Sequence, residues 1–576
     1  MTAPAARPRP RPRWVAAPAP DAAAVAALQA ELHLPESVCR LLVARGHVSG
    51  DAAKRFLRPR LEQLHAPSLL RGLGDAVERL ARAVRGRETI LVHGDYDVDG
   101  ICSTTLLTRA IRGFGGTVVP FIPRRLEDGY DLTMAGVAAA RAAGATVVVT
   151  CDCGTSAVQP VAALRAAGID VIVSDHHLPG TEAALLPECL AVLNPNAGGC
   201  AYPDKGLCGA GIAFKLALAL AEALGASDAS VYRMLDLVAL ATIADIAPLR
   251  GENRVFARYG LKLLAETSNV GLRALIRAAG LDGKPLTAGR VGFILGPRLN
   301  AVGRLGHALR GVELLLTESE GEANAIAREL EELNRRRQEI DRATLDEARR
   351  MVDALDLDET YGIVLGAEGW HAGVIGIVAS RIVEETGRPA VLVALDGGEG
   401  KGSGRSIPAF DLHSALGECR DLFRRFGGHN AEAGVTIDAA QLPAFAERFN
   451  AVARARLTEA DLVPEMRVDL ELPLAAANES LEALFRHFEP FGIGNAAPLL
   501  VARGVRLAAP PRLVGADGLR LRLAAGDGAI DAIGWGMAAR LPELHAVASF
   551  DVAFRLERDE YRGESRLQAK LADIRT

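Results

Sequence analysis

Residues 89–100 read TILVHGDYDVDG, an apolar run that ends in one histidine and three aspartates at alternate positions. Like charges packed this closely repel, and burying them uncompensated is costly. If Ile90 to Val92 form a strand, the acids sit at its exit and need a positive counterpart. Two further runs end in the same way: TVVVTCD (146–152) leads into Asp152, and DVIVSDHH (170–177) leads into Asp175, His176 and His177. With TVVPFIP (117–123), these β-branched runs alternate with Ala/Leu-rich helical stretches from about residue 70 to 250. That alternation predicts βαβ units and a doubly wound, mostly parallel sheet covered on both faces. Functional residues in such a sheet collect beyond the carboxyl ends of the strands. The three clusters are therefore expected to share one crevice, with bound metal as the neutralising charge.

Asp245 ends the apolar stretch LDLVALATIAD (235–245), where an unpaired buried carboxylate would be unfavourable, and it is a fourth contributor. Carboxylates combined with imidazoles suit Mn²⁺ or Mg²⁺ better than zinc, and the paired histidines favour manganese. Two such ions about 3.5–4 Å apart would activate a water and stabilise the leaving oxygen of a phosphoester.

A length of 576 residues allows three or four compact units. With 49% apolar and 24% charged residues, wholesale disorder is excluded. The net charge of −5 means that a nucleic-acid partner must be met by local basic patches. No cysteine pair has CxxC spacing, which argues against a zinc knuckle or a disulfide framework and fits a reducing cytoplasm. The opening MTAPAARPRPRPRW reads as a flexible basic arm outside the fold and not as a secretory signal. The most apolar stretch, 207–226, carries Lys215 and Glu222, so a buried helix is expected and no membrane span.

Further along, residues 320–356 carry apolar positions at helical spacing and form a long connecting helix. A second α/β unit follows, with strands YGIVLGA (361–367) and PAVLVAL (389–395) around a helix at 373–386. The stretch GEGKGSGRS (398–406) offers glycines that let backbone N–H groups approach an anion, beside Lys401 and Arg405. Its spacing is not that of an ATP-binding loop. After FEPFGIGNAAP (488–498) the pattern becomes strictly alternating, with Leu519, Leu521 and Leu523 between Arg520 and Arg522. A small antiparallel barrel of the OB type with a basic outer face is expected. The expected divisions are 1–69, basic arm and N-terminal helical region; 70–319, catalytic domain; 320–357, connecting helix; 358–460, substrate-binding domain; and 461–576, nucleic-acid-binding barrel.

The segments HGDYDVDG, CDCG (151–154), SDHH (174–177) and ATIADIAPL (241–249) resemble, in order and spacing, the four motifs of the DHH phosphoesterase superfamily. GPRLNAVGRLG (296–306), GWHAGVIGIVASRI (369–382), GSGRS (402–406) and FGGHNAEAG (426–434) extend the resemblance to the RecJ-like nucleases over roughly residues 70–500. The resemblance implies a single-strand-specific 5′→3′ DNA exonuclease of repair and recombination that works with two Mn²⁺ or Mg²⁺ ions. It places His93, Asp97 and Asp152 on one ion and Asp99, Asp152, His176 and Asp245 on the other. The implied catalytic pair is His177, facing the scissile phosphate, and Asp175. Asp95 and Asp175 are expected either to orient the ligands or to be solvated turn residues. Ser403, Arg405 and Arg124 are implied to clasp the 5′-terminal phosphate, and His429 to touch the phosphate near the metals. Arg298 and Arg304 are expected either to contact DNA or to brace the fold; His371 is ligand-like, and Trp370 beside it could equally cap a core.

One departure stands out: Glu432 occupies a position where the GGHxxAAG pattern of that family has alanine, and a carboxylate there would repel phosphate. A single-strand-binding protein and a helicase are the implied partners, and a monomer the expected state. Two other readings are a phosphodiesterase for short oligoribonucleotides or cyclic dinucleotides, and a catalytically silent replication scaffold. The region beyond residue 490 argues against the first, and the intact acids and histidines argue against the second.

Overall fold

The computed structural model describes residues 10–125, 127–179, 186–559 and 565–576. Residues 1–9 of the expected basic arm lie outside the described residues. The arm was expected to stay outside the fold, but its next part does not: β1 (Arg13–Ala16) pairs with a strand at Glu465–Val468. The Arg13 N–H donates to the Pro464 carbonyl at 2.8 Å, and the Arg13 guanidinium pairs with Glu465. An edge strand tolerates the prolines that precede it, because those positions need no ladder donors.

The chain divides into two compact units, one built mainly on residues 329–466 and the other on residues 16–303 and 467–576. In the second unit, β2 (Thr89–Gly94), β3 (Thr117–Phe121), β4 (Val147–Cys151), β5 (Asp170–Ser174) and β6 (Ala191–Leu193) form a parallel sheet in the order β3-β2-β4-β5-β6. Leu91, Val148, Val171 and Val173 pack with Val137, Ala140, Val161 and Leu164 of the helices Met134–Ala142 and Val158–Ala166. The helices Val98–Gly113 and Gly209–Leu224 lie against the other side. Both faces are thus covered, which is why the strands are continuously apolar. Lys215, in the stretch assigned above to a buried helix, is indeed buried and bonds Glu252 at 2.5 Å.

The other unit contains β7 (Ile363–Glu368), β8 (Ala390–Asp396), β9 (Glu399–Arg405), β10 (Phe423–Gly428) and β11 (Glu432–Asp438), in the order β10-β11-β9-β8-β7. Only β7 and β8 run parallel. The glycines of 398–406 therefore do not form an open anion loop. Gly400, Gly402 and Gly404 lie in β9, an interior strand paired on both sides with β8 and β11, so its backbone donors are engaged in the ladder. A Cβ at Gly400 or Gly402 would come within 2.6 Å of Val393 or 2.5 Å of Val435, so these glycines admit packing from neighbouring strands. The long helix runs over Glu320–Asp353. Trp370 is a core residue there, 7% exposed, with its indole N–H on Glu347 at 2.8 Å.

The C-terminal strands are β12 (Glu465–Val468), β13 (Leu470–Glu471), β14 (Leu500–Val514), β15 (Gly518–Ala525), β16 (Gly528–Gly534), β17 (Phe550–Asp559) and β18 (Arg566–Arg575). Pairing of β14 with both β15 and β17 closes the barrel β14-β15-β16-β18-β17. It is not wholly antiparallel, because β16 and β18 run parallel. Leu519, Leu521 and Leu523 point inward, as their alternation requires, while Arg520 and Arg522 face out. The expected basic face is largely neutralised: Arg520 pairs with Asp559, Arg522 with Asp531, and Arg503 with Glu471 and Asp551.

The barrel shares its apolar core with Leu28, Leu41, Leu42 and Phe56 of the N-terminal helices, more than 400 residues away in sequence. Arg254 locks this junction by donating to the carbonyls of Phe56, His487, Phe488 and Glu489, with its guanidinium 4.0 Å from the Phe56 ring centroid. Among the described residues no helix is long and apolar enough to cross a membrane.

Candidate metal centre

Asp97, Asp99 and Asp152 are each placed by a different local device. Asp97 caps the helix Val98–Gly113, its side chain accepting from the N–H groups of Asp99 and Gly100 at 2.9 and 3.1 Å. Asp99 turns the other way and takes the N–H groups of Gly209 and Ala210, at 2.5 and 2.7 Å, at the start of the helix Gly209–Leu224. Side-chain carboxylates at helix N-termini are favoured by the unpaired donors and the helix dipole. Gly209 also lets that helix come close: a Cβ there would lie 2.7 Å from the Asp152 Cβ. Asp152 adopts φ of 63°, a left-handed conformation that Asp and Asn tolerate better than most residues.

His176 Nε2 lies 2.9 Å from Asp152 Oδ1, 3.7 Å from Asp245 Oδ2 and 3.8 Å from Asp99 Oδ2. Donor atoms of three overlapping triads converge: Asp99, His176 and Asp245; Asp152, His176 and His177; and Asp95, Asp97 and Asp152. Within each triad they lie within 4.8 Å of one another. Asp152 joins two of the three. His93 is wholly buried, with its ring edge against Gly136, where a Cβ would come within 2.8 Å of Nε2.

His93 Nε2, Asp95 Oδ1, Asp152 Oδ1 and His176 Nε2 are all buried with no hydrogen-bond partner among the described residues. Unsatisfied polar atoms are rare in protein interiors. Asp152 Oδ1 and His176 Nε2 are close but not aligned as donor and acceptor, so both lone pairs are available to a common centre. Burial, and next the Asp97 charge, pushes Asp99 up to about 7 and raises Asp95 well above the ordinary carboxylate range. Burial and the charges of Asp99 and Asp97 push Asp245 up to about 9. Burial lowers His93 and His176 to about 4, with His177 contributing in the second case. Neutral imidazoles beside crowded carboxylates form a donor set that a hard or borderline divalent cation would satisfy, and Mn²⁺ and Mg²⁺ fit it.

Asp175 is buried but is not a solvated turn residue. It accepts from His177 Nδ1 and the His176 N–H at 2.7 Å and from the Thr155 N–H at 2.9 Å. Burial alone would raise its carboxyl; these bonds and the His177 charge lower it instead. Burial opposes protonation of His177, yet the Asp175 bond and charge take it up to about 9. Three groups that the sequence reading did not single out hold this corner. Tyr130 Oη lies 3.1 Å from His177 Nε2, and Asn194 and Asn196 donate to the His177 and His176 carbonyls at 2.8 and 2.7 Å. The NPN triplet after β6 was the available signal for the asparagines.

Of the expected DNA contacts, Arg124 and Arg298 belong to one unit and Arg304, His371, Ser403, Arg405 and His429 to the other. Arg124 is exposed and pairs with Glu127 at 3.0 Å. Arg298 donates to the Ile294 carbonyl, Arg304 to the Gly373 carbonyl, and His371 Nδ1 accepts from the Gly373 N–H. Ser403 and Arg405 are together: Arg405 Nη1 donates to Ser403 Oγ at 3.1 Å, and both side chains face Gly376 in the helix Ile375–Thr386. His429 sits exposed in the turn between β10 and β11. Glu432, expected to repel phosphate, pairs with Arg405 at 3.2 Å.

Comparison with known proteins agrees with this geometry. Residues 89–242 match the DHH family, N-terminal domain; residues 359–455 the DHHA1 domain; and residues 468–573 the RecJ OB domain. The chain is 37% identical to the single-stranded-DNA-specific exonuclease RecJ of Salmonella typhimurium over 94% of its own length and 96% of the relative's. The Bacillus subtilis RecJ is 38% identical over 83% of this chain, which spans only 60% of that relative's length. A crystal structure of RecJ from Thermus thermophilus in complex with Mn²⁺ superposes with a TM-score of 0.85 at 34% identity, covering 98% of this chain and 80% of that one. The Mg²⁺ complex from the same organism gives a TM-score of 0.79 at 33% identity, covering 98% of this chain and 79% of that one. The chain belongs to the RecJ family of DHH proteins.

Proposed function

We propose that the chain is a divalent-metal-dependent exonuclease that digests single-stranded DNA from its 5′ end in repair and recombination. The observation that carries the reading is the set of buried donor atoms on His93, Asp95, Asp152 and His176 that have no hydrogen-bond partner among the described residues. The names of the RecJ relatives, and the Mn²⁺ and Mg²⁺ in the Thermus structures, support it.

Two Mn²⁺ or Mg²⁺ ions, when bound, supply an activated water and neutralise charge on the phosphoester. His93, Asp97 and Asp152 would hold one, with Asp95 grouped beside Asp97 and Asp152; Asp99, Asp152, His176 and Asp245 would hold the other. Asp175 fixes the His177 ring through Nδ1 and leaves Nε2, beside Tyr130, to meet a phosphate oxygen. Ser403 and Arg405 clasp the 5′-terminal phosphate, with Arg124, Arg298, Arg304, His371 and His429 as further strand contacts. Arginine suits this role because its planar fork bonds phosphate through two donors. The intact donor set and the barrel weigh against a silent scaffold and against a small-substrate phosphodiesterase. Cytoplasmic residence, a monomeric state, and work beside a single-strand-binding protein and a helicase complete the proposal.

The test is digestion of single-stranded DNA labelled at either end, beside a duplex of the same sequence, with Mn²⁺ or Mg²⁺. Release of label from the 5′ end of the single strand alone is expected. Equal digestion from both ends, or of the duplex, would reject the reading.

A further inference from the structure

The helical segment from Ala288 to Leu305 is pinned to two of the segments that carry the proposed metal ligands. Asn300 Oδ1 accepts from the Val98 N–H at 3.1 Å, and Gly303 lies so close to the Tyr96 carbonyl that a Cβ would come within 2.1 Å of it. Both contacts grip the HGDYDVDG loop. At the other end, Gly292 and Gly296 face Ile243 and Ala244, the two residues before Asp245, with Cβ positions at 3.5 and 3.1 Å. Residues 292, 296, 300 and 303 form one face at helical spacing, and that face is the anchored one.

At the Gly292 anchor the helix widens to a π-turn at Val291–Leu295. Such turns insert a residue and redirect side chains, often at functional sites. Here the turn presents Phe293, which is 87% exposed and more exposed than any other large apolar residue described. Ile246, directly after Asp245, is 65% exposed at φ of 60°. A β-branched residue at positive φ is strained, and such strain persists where the surroundings hold it. Two exposed apolar side chains thus stand on two backbone distortions, one directly after Asp245 and one on the helix that packs against the residues before it.

We propose that Phe293 is a stacking platform for a base of the DNA strand whose phosphate lies at the metal centre. The inference rests on the exonuclease reading. An aromatic ring accepts any base face without reading its edge, so it suits an enzyme that must hold every sequence. Its neighbour Gly292 faces Ile243, two residues before Asp245, and Arg298, five residues on, adds a positive charge suited to the same strand.

The test compares wild type with Phe293→Ala, Phe293→Tyr and Phe293→Trp on 5′-phosphorylated oligothymidylate and on the same oligomers carrying one abasic residue at each position in turn. The expected result is that wild type loses about tenfold in kcat/KM at one abasic position, that Phe293→Ala no longer distinguishes that position, and that Tyr and Trp restore the difference. A helix that merely positioned Asp245 would slow all these substrates by one factor and leave the pattern intact, which would overturn the inference. So would an unaltered pattern with full activity, the result expected if the ring docks a protein instead. Fluorescence anisotropy of the same oligomers in Ca²⁺ measures stacking without cleavage. If wild type binds and discriminates the abasic position there but never cleaves, the exonuclease reading fails and the platform stands.

Discussion

The parallel sheet of residues 89–193 and the mixed sheet of residues 363–438 treat charge in opposite ways. The first gathers acids and histidines at the ends of β2, β4 and β5 and leaves four buried donor atoms without partners among the described residues. The second pairs several of its charges internally: Arg405 with Glu432, and Arg424 with Glu399 and Asp438. A site built around unmet anions gains stability from a cation, whereas a site whose cation is already paired must exchange one anion for another. The first arrangement favours tight capture of metal; in the proposed function, the second would give a reversible hold on a moving phosphate.

Replacing Asp152 breaks the comparison most severely. Asp152→Asn should reduce cleavage by about 10³-fold or more, because the residue that joins two donor triads loses its charge. The same change should raise the melting temperature of the metal-free protein, since it removes a buried charge crowded by Asp99 and Asp97. Asparagine is the correct test because the left-handed backbone of Asp152 suits it, whereas alanine would add strain. Full activity in this variant, or lower metal-free stability with an unchanged response to Mn²⁺, would refute the assignment of the centre.

Metal removal comes next. Saturating Mn²⁺, at about 100 times its dissociation constant, should stabilise the sheet domain by about 2.7 kcal/mol, and EDTA should abolish the gain. Hydrogen exchange should slow in β2, β4 and β5 and remain unchanged in β7 to β11. Equal protection of both sheets would remove the contrast.

The two sheets also differ in how legible they were. Strands β2, β4 and β5 could be read from their apolar runs because both faces of the sheet are buried and each of these runs ends in charged residues, so strand limits and site coincide. The donors from Gly209 and Ala210, the left-handed Asp152 and Tyr130 beside His177 depend on packing between segments distant in sequence, which no local pattern records. The run 398–406 misled because glycine suits both an open loop and a strand that needs close neighbours; only the flanking Val393 and Val435 decide between them. The core common to the N-terminal helices and the barrel, and the entry of Arg13–Ala16 into a sheet, were invisible for the same reason.

Arg405→Ala should weaken the preference for a 5′-phosphate over a 5′-hydroxyl by about tenfold or more, mostly in KM, by removing a charge-assisted pair of bonds. An unchanged preference would move the terminal clasp elsewhere in the molecule.

Glu432→Ala should act in the opposite direction and more weakly. Its carboxylate lies 3.2 Å from Arg405 Nη2 and is 64% exposed, so the pair falls among exposed ion pairs, worth about 0–1 kcal/mol. Phosphate must displace that carboxylate, so freeing the guanidinium should lower KM for 5′-phosphorylated DNA by about two- to fivefold. The gain should shrink as salt rises, because salt screens the competing pair. It should be absent for 5′-hydroxyl DNA, which brings no terminal phosphate to compete. Glu432→Gln should reproduce most of it, since charge and not volume sets the competition. A higher KM in Glu432→Ala would mean that Glu432 holds Arg405 in the orientation that phosphate requires, making the pair a support for the clasp instead of a rival to it.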